Sequence, residues 1–181
     1  MSYKPSLLLL IALFGLAGCN RHSASSIGPA GNSTSPSSIP VGEIGSHLPE
    51  FEVKDLQGEE ISSKDLRGKV VLVDIWATWC QPCRKEMPGY QKLLDHYGPR
   101  GFAVIGLKSN MMMDTEGPLR FAKEIGVRYP LVSASSELVA KFCELEGLPT
   151  TMIYDRQGVL RKKVIGFDYP ESFELALKPL L

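Results

Sequence analysis

The run VVLVDIW, Val70–Trp76, limits the fold more than any other stretch of this chain. Its apolar side chains fall on both faces of an extended segment, so the segment has to be an interior strand of a sheet covered on both sides. Such a sheet is built from strands alternating with helices. Asp74 stands in the middle of this run, where an unpaired carboxylate is expensive to desolvate. It calls for either a hydrogen-bonded place in the core or a chemical task. Six residues further on comes the first of two cysteines, in Trp79-Cys80-Gln81-Pro82-Cys83.

The surrounding pattern supplies the other elements. Residues 51–55 and 60–62 flank Gln57-Gly58 and predict a short hairpin ahead of the central strand. A helix is expected from about Cys80 to Tyr97, with Pro88 inside it and Gly98-Pro99 ending it. Residues 102–107 read as a second buried strand, 115–125 as a helix with Pro118 in its first turn, and 131–133 as a short strand. A helix over 136–146 ending at Gly147 follows. Strands at 150–154 and 159–165 flank the turn Asp155-Arg156-Gln157-Gly158, and 170–181 closes as a helix. The expected class is α/β: a central mixed sheet with helices on both faces and an N-terminal β-hairpin.

Composition places this domain in a longer arrangement. Residues 1–18 carry one positive charge, Lys4, ahead of an apolar core too short to span a bilayer comfortably, which reads as an export signal. Leu16-Ala17-Gly18-Cys19 resembles a bacterial lipobox, which implies lipidation at Cys19 after cleavage; an ordinary signal peptide with an incidental cysteine is the alternative. Residues 19–47 are rich in Ser, Gly and Pro and read as a tether, with an end-to-end distance of about 28 Å as a flexible coil. The domain then occupies 48–181. With 20 basic and 20 acidic side chains and no basic cluster, a nucleic-acid partner is not expected.

The cysteine pair lies where a strand gives way to a helix. Free N–H groups and the helix dipole there stabilise a thiolate, which makes Cys80 the candidate nucleophile. Cys83, nearly one turn further on, is the candidate for resolving a mixed disulfide, and Pro82 between them limits flexibility. Half a zinc site is an alternative for any C-x-x-C. His22, His47, His96 and Cys143 show no spacing that would complete one, so no metal is expected. Copper held by Cys80, Cys83 and a methionine of Met111-Met112-Met113 is the rival from another class. Cys143 is the odd cysteine of the domain, read as a buried thiol.

The segment VVLVDIWATWCQPCRKEMP resembles the active-site segment of thioredoxin-like proteins, and Gly147-Leu148-Pro149-Thr150-Thr151 resembles their cis-proline loop. The longer spacing between the two motifs is similar to that of TlpA/ResA-like extracytoplasmic thiol-disulfide oxidoreductases. The resemblance implies a thioredoxin-like fold and a disulfide reductase without a cofactor. Its implied partners are disulfide-containing proteins such as apocytochrome c, a membrane electron donor, and the membrane itself. It also implies a cis peptide before Pro149, with Leu148 offering a backbone edge, and places Trp79 and Pro82 at the substrate. Thioredoxins carry a buried acid at the position of Asp74, whereas ResA-like proteins use a glutamate at the position of Glu86. This chain has both, so either could take the proton of Cys83. A peroxidase of the related redoxin group is disfavoured, since no P-x-x-x-T/S-x-x-C pattern surrounds Cys80.

Overall fold

The structure, a computed structural model, describes residues 39–110 and 117–181. The expected export signal, Cys19, most of the tether and Met111-Met112-Met113 lie outside the described residues. A five-stranded sheet forms the centre, in the order β5 (Leu131–Ala134), β4 (Phe102–Ser109), β3 (Val70–Trp76), β6 (Thr150–Tyr154), β7 (Leu160–Ile165). The pairs β3–β4 and β4–β5 are parallel, while β3–β6 and β6–β7 are antiparallel, which makes the sheet mixed. β3 is its middle strand and is buried at all seven positions, as its sequence demands. A separate antiparallel hairpin, β1 (Glu52–Lys54) and β2 (Glu60–Ser62), precedes it.

Alternation along β3 sorts the core into two layers. Val70, Leu72 and Trp76 face α1 (Gln81–Tyr97), α2 (Pro118–Ile125) and α4 (Pro170–Leu177), where Met87, Tyr90, Phe121, Phe173 and Leu177 pack. Val71, Val73 and Ile75 face the other way, onto Phe51, Leu66, Val139 of α3 (Ser136–Ala140) and Phe142. Asp74, being even-numbered, belongs to the α1 layer. α1 and α4 touch closely at Gly89, where a Cβ would collide with the Pro170 ring, so glycine is what permits the approach. Arg84 stacks its guanidinium over Phe121, 4.5 Å from the ring centroid, which joins α1 to α2.

Both tight turns of the protein's hairpins use the same chemistry. Asp55 Oδ1 accepts from Gln57 N and Glu59 N, and Asp155 Oδ1 accepts from Gln157 N and Val159 N, so each aspartate holds its own turn. Arg156 donates to the carbonyls of Gly68, Arg100 and Leu181 at 2.8–2.9 Å and fastens three separate segments together. Before the first hairpin, Gly45 N donates to Leu160 O, Leu160 N to Ser46 O and Leu48 N to Gly158 O, so this stretch pairs along the outer edge of β7.

Three helix boundaries differ from the expectation, and the first is the start of α2, which lies at Pro118 with the extended Gly117 as its N-cap rather than at 115. The helix expected over 136–146 ends at Ala140, and Gly147 does not take the left-handed conformation that would make it a terminating cap. Phe142 and Cys143 turn into the core instead, and the chain runs on irregularly to Pro149. The last helix stops at Leu177 and tightens into a 3-10 turn over Lys178–Leu180, around Pro179. β4, conversely, continues past the expected Leu107 to Ser109, because β5 pairs with it up to that residue. No helix among the described residues is long and apolar enough to cross a membrane.

Candidate active site

The dithiol sits at the start of α1. Cys80 is the N-cap residue, with extended backbone, and its Sγ accepts a hydrogen bond from Cys83 N at 3.2 Å. In the structure Cys80 and Cys83 form a disulfide with the Cα atoms 5.3 Å apart. Both residues are buried, Cys80 at 3% and Cys83 at 0% exposure, so a partner reaches the pair mainly through Cys80. Trp79, beside it, is half exposed, and Pro82 is partly so. The Leu148–Pro149 peptide is cis, and Pro149 O accepts from Gly166 N at 2.8 Å, which ties this loop to the end of β7.

Glu86 extends the inner stripe of α1, at spacing i+3 from Cys83, and is fully buried. Its Oε2 accepts from the Tyr90 hydroxyl at 2.8 Å, and its Oε1 accepts from the backbone N–H of Asp168. Burial pushes its pKa up, while the Asp168 and Tyr90 hydrogen bonds pull in the other direction. Asp168 itself is held on the low side by Ser172 and Lys162, which mark where the site meets solvent.

Asp74 is 1% exposed and lies directly across β3–β6 from Thr151. Among the described residues neither of its carboxylate oxygens has a hydrogen-bond partner. Burial raises its pKa well above the ordinary carboxylate value, the negative charge of Glu86 raises it further, and the nearby Thr151 hydroxyl lowers it. The disulfide and the two acids therefore share the α1 layer. Tyr129 Oη and Trp76 Nε1 are also buried there with no hydrogen-bond partner among the described residues. Gly106, the β4 neighbour of Asp74, leaves room for both: a Cβ there would lie 3.0 Å from Trp76 Nε1 and 3.3 Å from Tyr129 Cε2.

The sequence reading missed four residues around this site. Tyr90 was discoverable, since it stands at i+4 from Glu86, where helical side chains meet. Thr151 belongs to the cis-proline motif but carries no polar signal of its own. Phe167 and Tyr169, an exposed aromatic pair with ring centroids 5.1 Å apart, bracket the residue whose N–H holds Glu86. Cys143 is buried and unpaired, and burial pushes its thiol pKa up, as suits an inert thiol. Among the described residues no group of three or more His, Cys, Asp or Glu side chains is placed to hold a metal ion.

Comparison with known proteins places this site in a family. Residues 44–163 match the AhpC/TSA family. The chain belongs to this thioredoxin-like family. It is 32% identical over 139 residues to the thiol-disulfide oxidoreductase ResA of Bacillus thuringiensis, covering 76% of this chain and 79% of that one. It is also 32% identical over 160 residues to the thioredoxin-like protein YneN of Bacillus subtilis, covering 88% and 87%. Among solved structures, a thioredoxin-family thiol:disulfide interchange protein from Chlorobium tepidum superposes with a TM-score of 0.69 at 27% identity, over 76% of this chain and 97% of that one. A protein from Bacteroides thetaiotaomicron described as a disulfide isomerase gives 0.65 at 32% identity, over 78% and 92%. The protein is a thiol-disulfide oxidoreductase of this family, and Cys80–Cys83 is its cysteine pair.

Proposed function

We propose that the protein is a reductant of disulfides in extracytoplasmic proteins, held to a bacterial membrane by a lipidated Cys19 and a flexible tether over residues 19–47. The observation that carries the chemistry is the position of Cys80, an N-cap whose sulfur already accepts the Cys83 N–H. In the reduced protein that donor and the helix dipole favour a thiolate on Cys80. This thiolate attacks a substrate disulfide and forms a mixed disulfide, and one substrate sulfur leaves with the electron pair. Cys83 then gives up its proton and attacks Cys80 Sγ, which closes the Cys80–Cys83 bond and releases the second substrate thiolate. A membrane donor of two electrons regenerates the dithiol.

Asp74 and Glu86 are the acids assigned to the proton of Cys83. Trp79, Pro82, Leu148 and Pro149 are the residues assigned to substrate binding, and an extended segment would pair along Leu148. The substrate class includes apocytochrome c, which follows from the resemblance to ResA-like proteins.

The test is to express Cys83→Ser in its native host and identify what is covalently attached to Cys80. A reductase accumulates disulfide-linked extracytoplasmic proteins that a reducing agent releases. If nothing is trapped and the reduced wild type instead binds Cu(I) stoichiometrically, the chain is a metal carrier and this reading is wrong.

A further inference from the structure

Asp74 and Glu86 belong to different elements, yet the structure places a line of hydroxyls between them. Tyr90 Oη lies 2.8 Å from Glu86 Oε2 and 3.0 Å from Thr151 Oγ1, and Thr151 is the direct cross-strand neighbour of Asp74. All four residues are buried, at 0% to 1% exposure. Tyr90 has one hydroxyl proton and gives it to Glu86, so in this arrangement Thr151 donates to Tyr90. With its proton on Tyr90, Thr151 leaves the Asp74 carboxylate without a hydrogen-bond partner among the described residues; turned the other way, the same hydroxyl proton reaches Asp74 and lowers its pKa.

We propose that Tyr90 and Thr151 form a two-hydroxyl bridge that carries the proton of Cys83 from Asp74 to Glu86. The proposal rests on the reading of Asp74 as the base for Cys83. When Cys83 attacks Cys80, its proton passes to Asp74, whose side chain turns to donate to Thr151 Oγ1. Thr151 passes its own proton to Tyr90 Oη, and Tyr90 passes its own to Glu86 Oε2. Both hydroxyls end neutral, Glu86 ends protonated, and Asp74 is again a carboxylate, now accepting from Thr151. Over the whole step one negative charge has moved from Glu86 to the departing substrate sulfur, which leaves with the electron pair. Glu86 then releases its proton beside the Asp168 backbone, where the protein meets solvent.

The groups facing the bridge are consistent with this route. From α1 come Glu86 and Tyr90, from β3 Asp74, and from β6 Thr151. Asp168 approaches from the segment before α4, with Lys162 of β7 beyond it. Tyr129 is the other buried hydroxyl that feels both acids, but its oxygen has no partner and lies off the line. Tyr90 and Thr151 are positioning residues, because they touch neither sulfur nor substrate. Burial holds the Tyr90 hydroxyl far from ionisation, so it works by accepting one proton as it gives another.

The test uses the full-length reduced protein and the rate of its reaction with a small aromatic disulfide, followed through release of the second thiol, which reports resolution by Cys83. Tyr90→Phe and Thr151→Val should each slow resolution about tenfold, below the ~10²-fold scale of losing a general base outright. In wild type, the rate against deuterium fraction should curve, because several protons move together, and in Tyr90→Phe it should be linear. Glu86→Gln should slow the wild type and have no further effect on Tyr90→Phe. Tyr129→Phe should keep the wild-type pH profile and curvature. If Tyr90→Phe and Thr151→Val keep the wild-type pH profile and curvature, whatever their rates, the bridge is structural and the proposal is overturned while Asp74 stands as base. If Asp74→Asn leaves resolution unchanged, the base assignment fails and the bridge falls with it.

Discussion

Asp74 is an acid in the interior of a central strand with no hydrogen-bond partner among the described residues, and its raised pKa has a consequence for stability. Between the unfolded value of about 3.9 and the higher folded value, the native state binds more protons than the unfolded chain. Stability owed to this site is therefore lost as pH rises through that window. Asp74→Asn removes the ionisation while keeping the shape, so it should stabilise the protein at pH 8, by roughly 1–3 kcal/mol, the scale on which buried groups without partners are penalised. The advantage should vanish toward pH 4. Urea melts of the oxidised protein across this range measure it, and a destabilised variant at pH 8 would mean that the carboxylate is held by favourable contacts. Glu86 titrates with the same sign but more gently, because its two hydrogen bonds oppose burial. In the proposed reaction one buried acid takes the proton of Cys83 and the other receives it near the Asp168 backbone.

Helix α1 carries Cys80, the proposed nucleophile, at its cap and buries Cys83, Glu86, Met87 and Tyr90 on one stripe, so its seating sets the site. Gly89 allows α4 to press against it, with Pro170 where a side chain would be. Gly89→Ala should lower stability by about 1–2 kcal/mol, because a methyl pressed into a rigid proline ring costs more than the ~1 kcal/mol that alanine contributes in a helix. Thermal melts would show the reverse if α4 simply shifted aside. Much of this architecture was legible in the sequence. β3 could be read from its unbroken apolar run, α1 from the cysteine pair and the Gly98-Pro99 stop, and Pro149 from its motif. The short α3 was not, because its ending depends on Phe142 and Cys143 turning into the core rather than on any local signal. The contacts among Asp74, Thr151, Tyr90 and Glu86 were hidden for a similar reason. They join residues up to 77 positions apart, and only the β3–β6 register brings them together.

At the scale of the whole molecule, the chemistry of the dithiol and the proposed attachment lie in separate parts of the chain. Cys19→Ser should release the protein from the membrane fraction while leaving its rate with a soluble disulfide unchanged, as fractionation and an exchange assay would show. Continued membrane association of that variant would mean that the leader, not a lipid, holds it. An enzyme that meets unfolded polypeptides also runs the risk of being extended by them, since the bare margin of a sheet can template a further strand. Here β5 is only four residues long, and the stretch from Gly45 to Leu48 already occupies the first part of the β7 margin. Further along β7, Lys162 pairs with Asp168 and Lys163 with Glu146, which ties neighbouring segments to this strand. Under the proposed function, a client in extended form finds little free margin on the sheet and is left to the cis-proline loop, the docking place we propose, where binding leads to reduction and does not seed aggregation.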